Sequence, residues 1–169
     1  SVKKLVDKWK NTTLELVFKA SSATYDGRYS NNFWLREFID PVTKISWENV
    51  AILSSNTAKK LGVNHKEMLT IKVDNNSVDI PAWIMPGQSD GTITVDLGYG
   101  RHINRSTDRT YVQENVIGFN TYDIKHIGSN SHLNDIDVKT SGIIYKIACT
   151  QDHHGLDTEK LAADEIEGR

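Results

Sequence analysis

Between Met68 and Ile84 the chain alternates with a period of two, and that pattern constrains the fold more than any other feature. Leu69, Ile71 and Val73 fall on one face, with Met68, Thr70 and Lys72 on the other. Asn75-Asn76 then marks a turn, and Val78, Ile80, Ala82 and Ile84 alternate on the way back. Successive side chains of a strand point to opposite faces, so the segment predicts a β-hairpin with one buried face. The same period, over shorter runs, predicts strands at Leu14–Lys19, Val50–Leu53 and Thr92–Leu97. Two more are expected from Val116 through Tyr122–Lys125 and over Ile143–Thr150.

Helical signals are fewer. Ser54 or Ser55 is suited to cap a helix through Thr57–Leu61, and Gly62 supplies a left-handed stop. Phe33–Phe38 predicts a turn of helix that ends before Asp40-Pro41. Val2, Leu5, Val6 and Trp9 have helical spacing, and Leu156–Ile166 repeats it more weakly. Six or seven short strands with one inserted helix predict a mainly β fold, a closed or nearly closed barrel with peripheral helices, and not a doubly wound sheet. At 169 residues the chain fits one domain, 1–169. Because Ser1 opens inside a helical pattern, the domain is expected to be excised from a larger chain.

Composition excludes several classes. A formal charge of −2 offers no basic field for nucleic acid. No apolar run nears the roughly 20 residues of a membrane-spanning helix, so direct membrane insertion is not expected. The single cysteine, Cys149, excludes an intrachain disulfide and a thiolate-held cluster within these residues. Its place in Ile-Ile-Tyr-Lys-Ile-Ala-Cys predicts a buried, inert thiol.

Signals for catalysis are sparse. Gly98-Tyr99-Gly100-Arg101-His102 superficially suggests a phosphate loop, but it lacks G-x-G-x-x-G spacing and no long helix follows; a tight bend at a strand end is the favoured reading. His153 and His154 would point to opposite faces of an extended chain, which suits no shared metal. No G-x-S-x-G elbow is present, and no metal ligand set is expected. Trp34, Trp47 and Trp83 are expected to pack in the core or at a domain interface.

Asn56-Thr57-Ala58-Lys59-Lys60-Leu61-Gly62-Val63 followed by a hairpin resembles the signature of the molybdopterin-dinucleotide-binding domain, a double-psi β-barrel shared with aspartate decarboxylase. More specifically, the chain resembles the iron–sulfur, molybdopterin-oxidoreductase-like subunit of alternative complex III, a quinol:cytochrome c oxidoreductase. The matching stretches are Asp26–Glu37, Asp40–Asn49, Pro81–Gly87, Leu97–Arg101, Val116–Tyr122, Thr150–His154 and Glu167–Arg169.

The resemblance implies a periplasm-facing parent with iron–sulfur clusters beyond Arg169, and other subunits of a membrane electron-transfer complex as partners. It implies that this barrel is a scaffold holding no cofactor and doing no catalysis alone, packed on neighbouring domains of its own chain. In the alternative it binds molybdopterin guanine dinucleotide, with Asn120, Gly118 and Arg101 the candidate contacts and Gln88 a weaker one. A third reading, a self-processing barrel of the aspartate-decarboxylase type, would need Gly128-Ser129 as its cleavage pair.

Overall fold

The computed structural model describes residues 14–102, 116–125, 131–134 and 136–151. Nine strands are seen among them: β1 (Glu15–Ala20), β2 (Ala51–Leu53), β3 (Glu67–Val73), β4 (Asn76–Ile84), β5 (Thr92–Leu97), β6 (Arg101–His102), β7 (Val116–Ile117), β8 (His132–Asn134) and β9 (Asp137–Ile144). Two short helices, α1 (Phe33–Glu37) and α2 (Ser55–Leu61), and a 3₁₀ turn (Thr121–Ile124) complete the set.

Seven strands form one curled mixed sheet in the order β8-β1-β5-β2-β4-β3-β9. β1 runs parallel to β5, and β2 parallel to β4, while the other neighbours are antiparallel. The sheet makes a half-barrel, so the mainly β, barrel-like fold expected from the sequence is the observed one. Among the described residues β8 and β9 are its two edges, and the ring is not closed by hydrogen bonds between them. β6 and β7 form a separate ribbon.

Alternation decides the core. Leu69, Ile71 and Val73 of β3 are buried with Val78, Ile80 and Ala82 of β4 and Ile93 and Val95 of β5, and Leu16 and Phe18 of β1 join them. Each fully buried Leu or Ile contributes about 1.5–3 kcal/mol by leaving water, before entropy is counted. A smaller cluster of Ile45, Val50, Ile52 and Ile147, flanked by Trp83, Met85, Tyr145 and Cys149, packs separately.

The inserted helix forms for the reasons legible in its sequence. The Ser54 hydroxyl oxygen accepts from Thr57 N at 3.0 Å, and Gly62 stands at φ +68 as the left-handed stop. The aromatic helix is likewise capped, by the Asn32 side chain accepting from Leu35 N.

Two expectations are corrected. Tyr122–Lys125 is not a strand: Thr121–Ile124 winds into a 3₁₀ turn because the Asn120 carboxamide oxygen accepts from Tyr122 N, closing the chain locally. The last strand is Asp137–Ile144, not Ile143–Thr150. Its residues pair as an exposed edge, so no apolar alternation announces it. Beyond Ile144 the chain leaves β3 for the smaller cluster, where Ile147 is buried and Cys149 makes an isolated bridge to Ile45. The helical patterns at 2–9 and 156–166, and the pairs Gly128-Ser129 and His153-His154, lie outside the described residues.

Candidate functional site

Three loops meet where β5 ends, and they bring the sequence-derived candidates together. Gly98 and Gly100 take φ of +91 and +79, reversing the chain as a glycine pair can. A Cβ on Gly98 would lie 2.6 Å from Gly27 N, so the Thr24–Gly27 turn crosses directly over it. A Cβ on Gly100 would overlap the Asn120 backbone nitrogen. Gly100 N donates to Ile117 O at 2.9 Å, and Arg101 pairs with Ile117 across the β6–β7 ribbon. Arg101, Gly118 and Asn120 are thus neighbours in space, as a shared site requires.

Their side chains are mostly committed to the protein. The Asn120 oxygen caps the 3₁₀ turn at 3.3 Å from Tyr122 N, and its Nδ2 donates to Asp123 Oδ1 at 2.7 Å. Gly118, at φ +72, is buried; a Cβ there would come 2.9 Å from Asn49 Oδ1 and from the Tyr99 ring. Arg101 is exposed, and its Nη1 reaches Ser30 Oγ at 3.4 Å. Gln88 is turned inward, its Nε2 donating to Thr94 Oγ1 at 3.0 Å.

Asn49, not singled out from the sequence, holds the cluster. It is buried, its Nδ2 donates to Asp96 O and Phe119 O, both at 3.0 Å, and its Oδ1 accepts from Phe119 N at 2.8 Å. Thr121 Oγ1 donates to the same Asp96 carbonyl at 2.9 Å. At the rim, Tyr122 donates to Asp26 O at 2.8 Å, and Arg28 pairs with the Asp26 carboxylate at 2.7 Å. That hydrogen-bonded pair drives the Asp26 pKa down to about 2, and Arg28 also lies 5.0 Å over the Tyr25 ring.

Behind Tyr99 lies a small cavity of about 20 Å³. Its walls carry Arg36, Asp40, Glu48, Asn49, Asp96 and Tyr99. Burial pushes the Asp96 carboxyl up to about 6 against the opposing pull of Lys19, whose Nζ lies 3.3 Å away but outside hydrogen-bonding geometry. Burial also raises Glu48, whose Oε1 accepts from Tyr145 OH at 2.6 Å. Asp40 is different. Its burial is outweighed by bonds from Thr43, Ser22 and Val42, so its pKa is lowered. Sequence reading missed Arg36, Asp96 and Tyr99. The available signal was a lone arginine inside the aromatic run Phe33–Phe38 and an acid on the alternating strand β5.

Trp34 is 82% exposed, whereas Trp83 is half-buried and lies against His65, ring centroids 4.3 Å apart and tilted by 51°. Cys149 is an unbridged, half-buried thiol whose Sγ sits 3.8 Å from Thr43 O. Among the described residues no group of three His, Cys, Asp or Glu side chains could hold a metal ion, and no helix is long and apolar enough to cross a membrane.

No family model and no curated protein matches the chain. Among solved structures it is similar to acetylene hydratase from Pelobacter acetylenicus, at 20% identity and a TM-score of 0.43 over 61% of this chain. The match spans 13% of that protein's chain, and a likeness this slight carries no functional argument.

Proposed function

We propose that this domain is a scaffold barrel of a larger oxidoreductase of the molybdopterin-oxidoreductase kind, and that it holds no cofactor itself. The ordered series of motifs from Asp26 to Arg169 supports the family reading. With it come the expected periplasmic setting, the quinol-to-cytochrome c electron transfer and the iron–sulfur clusters in other parts of the parent chain. The exposed Trp34, Phe38 and Val42 are the surface offered to neighbouring domains.

One observation carries the cofactor-free part. Glycines that admit a ligand leave open space where a Cβ would be, but at Gly100 and Gly118 that space is filled by Asn120, Asn49 and Tyr99 of the protein itself. The Asn120 side chain is spent on its own turn. Among the described residues these positions offer no open cradle, which supports the cofactor-free reading.

The rival reading, a working dinucleotide-binding domain, draws on exposed Arg101 beside Asn120. Calorimetric titration with guanine nucleotides separates the two, because these mimic the nucleotide half of the cofactor. No saturable heat is expected. Micromolar binding that weakens in Arg101→Ala or Asn120→Ala would establish the rival.

A further inference from the structure

An apolar strip open to solvent runs from α1 into the turn that follows it. Trp34 lies on α1 and Phe38 at its C-cap, one helical turn apart and joined by the bond from Phe38 N to Trp34 O; Ile39 and Val42 come next. Phe38 is 69% and Val42 66% exposed, so large apolar side chains close in sequence stand in water. The platform beneath them is fixed. Asp40 N donates to Ile45 O and Lys44 N to Asp40 O, both at 2.9 Å, while Asp40 Oδ1 accepts from Val42 N and Thr43 N. A well-bonded turn that holds apolar side chains out in water marks a contact surface.

The described chain leaves the sheet beside this strip. Thr150 N donates to Lys44 O at 3.1 Å, Cys149 bridges Ile45, and Gln151 is the last residue described. Val42 and Lys44 belong to one turn, so residues 152–169 set out next to it. Leu156, Leu161, Ala162, Ala163 and Ile166 are the apolar residues of that segment, set among acids. The chain from Gln151 to Leu156 spans at most about 18 Å, enough to bring Leu156 over Val42 or Phe38. Other occupants fit less well. Residues 1–13 join the sheet at Glu15, a strand's length of about 20 Å from the Ser21 end of β1, where the loop to α1 begins. A stable dimer uses about 20–30 residues a side, and this strip is four side chains.

We propose that the segment 152–169 folds back onto the strip of Trp34, Phe38, Ile39 and Val42 and docks there through Leu156 and Leu161. The contact is intramolecular, so it needs little area: the tether at Thr150 keeps the segment at a high local concentration. Docking removes from water the exposed side chains of the strip and the leucines of the segment together. The inference rests on the reading of this face as one offered to the rest of the parent protein, and it names the first occupant, the chain's own continuation. Neighbouring domains then meet the segment and the strip as one surface.

The test uses the whole 169-residue chain. Amide exchange over residues 156–166 is expected to be slowed about tenfold or more against a free peptide of the same sequence. Val42→Asp, made at an exposed side chain, is expected to remove that protection and leave exchange in the β3–β4 hairpin unchanged. A photo-crosslinking residue, p-benzoylphenylalanine, in place of Phe38 locates the contact without adding charge. Links to residues 152–169 of the same chain are expected, at a yield independent of dilution. Free-peptide exchange rates in the segment, protection that survives Val42→Asp, or links only to other segments or between copies would each overturn the proposal. Docking and scaffold role fail separately: an undocked segment leaves the nucleotide titration silent, and saturable nucleotide binding leaves the crosslinks in place.

Discussion

At the scale of single residues, this fold depends on places where two backbones cross with no room for a side chain. Gly98 and Gly87 share a φ of +91, but a Cβ on Gly98 meets Gly27 N at 2.6 Å and Thr24 Oγ1 at 2.7 Å, while a Cβ on Gly87 meets nothing within 4 Å. The conformational cost of alanine is common to both, about 1–2 kcal/mol. Steric overlap with backbone is added only at Gly98, so Gly98→Ala is predicted to cost about 2 kcal/mol or more beyond Gly87→Ala. Urea denaturation midpoints measure the difference; equal losses would mean that the crossing yields easily. Asn49 works at the same scale by the opposite means, filling a gap between β5 and the Phe119 backbone with one carboxamide.

At the scale of elements, what was legible followed apolar period, and what was hidden followed polar bonds. The hairpin β3–β4, strand β5 and helix α2 were readable because Leu69, Ile71, Ile93 and their neighbours face one core and because Ser54 and Gly62 bound the helix. β9 escaped because most of its residues are exposed, and the 3₁₀ turn because its cause is a single side chain, Asn120. The candidate site was half legible. Arg101, Gly118 and Asn120 do converge, yet Asn49, Arg36 and Asp96 derive their importance from burial that no local pattern encodes. Helix α2 offers the element-level test. Leu61 packs on the main core, so Leu61→Asp places a carboxylate against apolar neighbours and is predicted to lower stability by about 2–4 kcal/mol. An unchanged denaturation midpoint would show that the helix is not docked there.

At the scale of the whole molecule, acid stability is a sum over carboxylates of opposite sign. Asp26 and Asp40 have lowered values, so each stabilises the fold above its unfolded pKa and that contribution is lost as the pH falls. Asp96 acts the other way. Its folded value of about 6 exceeds the model-peptide 3.8, so the folded state binds the proton more tightly. Its contribution to stability is full below pH about 4 and is lost as the pH rises through about 6. Asp96→Asn is predicted to remove that loss, gaining about 1–3 kcal/mol at pH 7, the lower figure allowing for the forfeited Lys19 pair. Urea unfolding of both proteins from pH 4 to pH 8 should give curves that diverge up to pH about 6 and run parallel above it. Curves parallel throughout would show that Asp96 ionises freely.

The strand order has a consequence in time. β1 lies between β5 and β8, with Glu15 in register with both Thr92 and Asn134. β1 therefore has no sheet partner until the chain has been made at least to Leu97, whereas the β3–β4 hairpin can pair as soon as its own residues leave the ribosome. Within this domain the local hairpin would form early, with Leu16 and Phe18 left exposed until the partner strands of β1 emerge. Sheets assembled from such distant pairs gather slowly, because loop closure must precede any gain from contact. The nascent domain's most vulnerable interval is thus the wait of β1, the period in which a chaperone has something to hold.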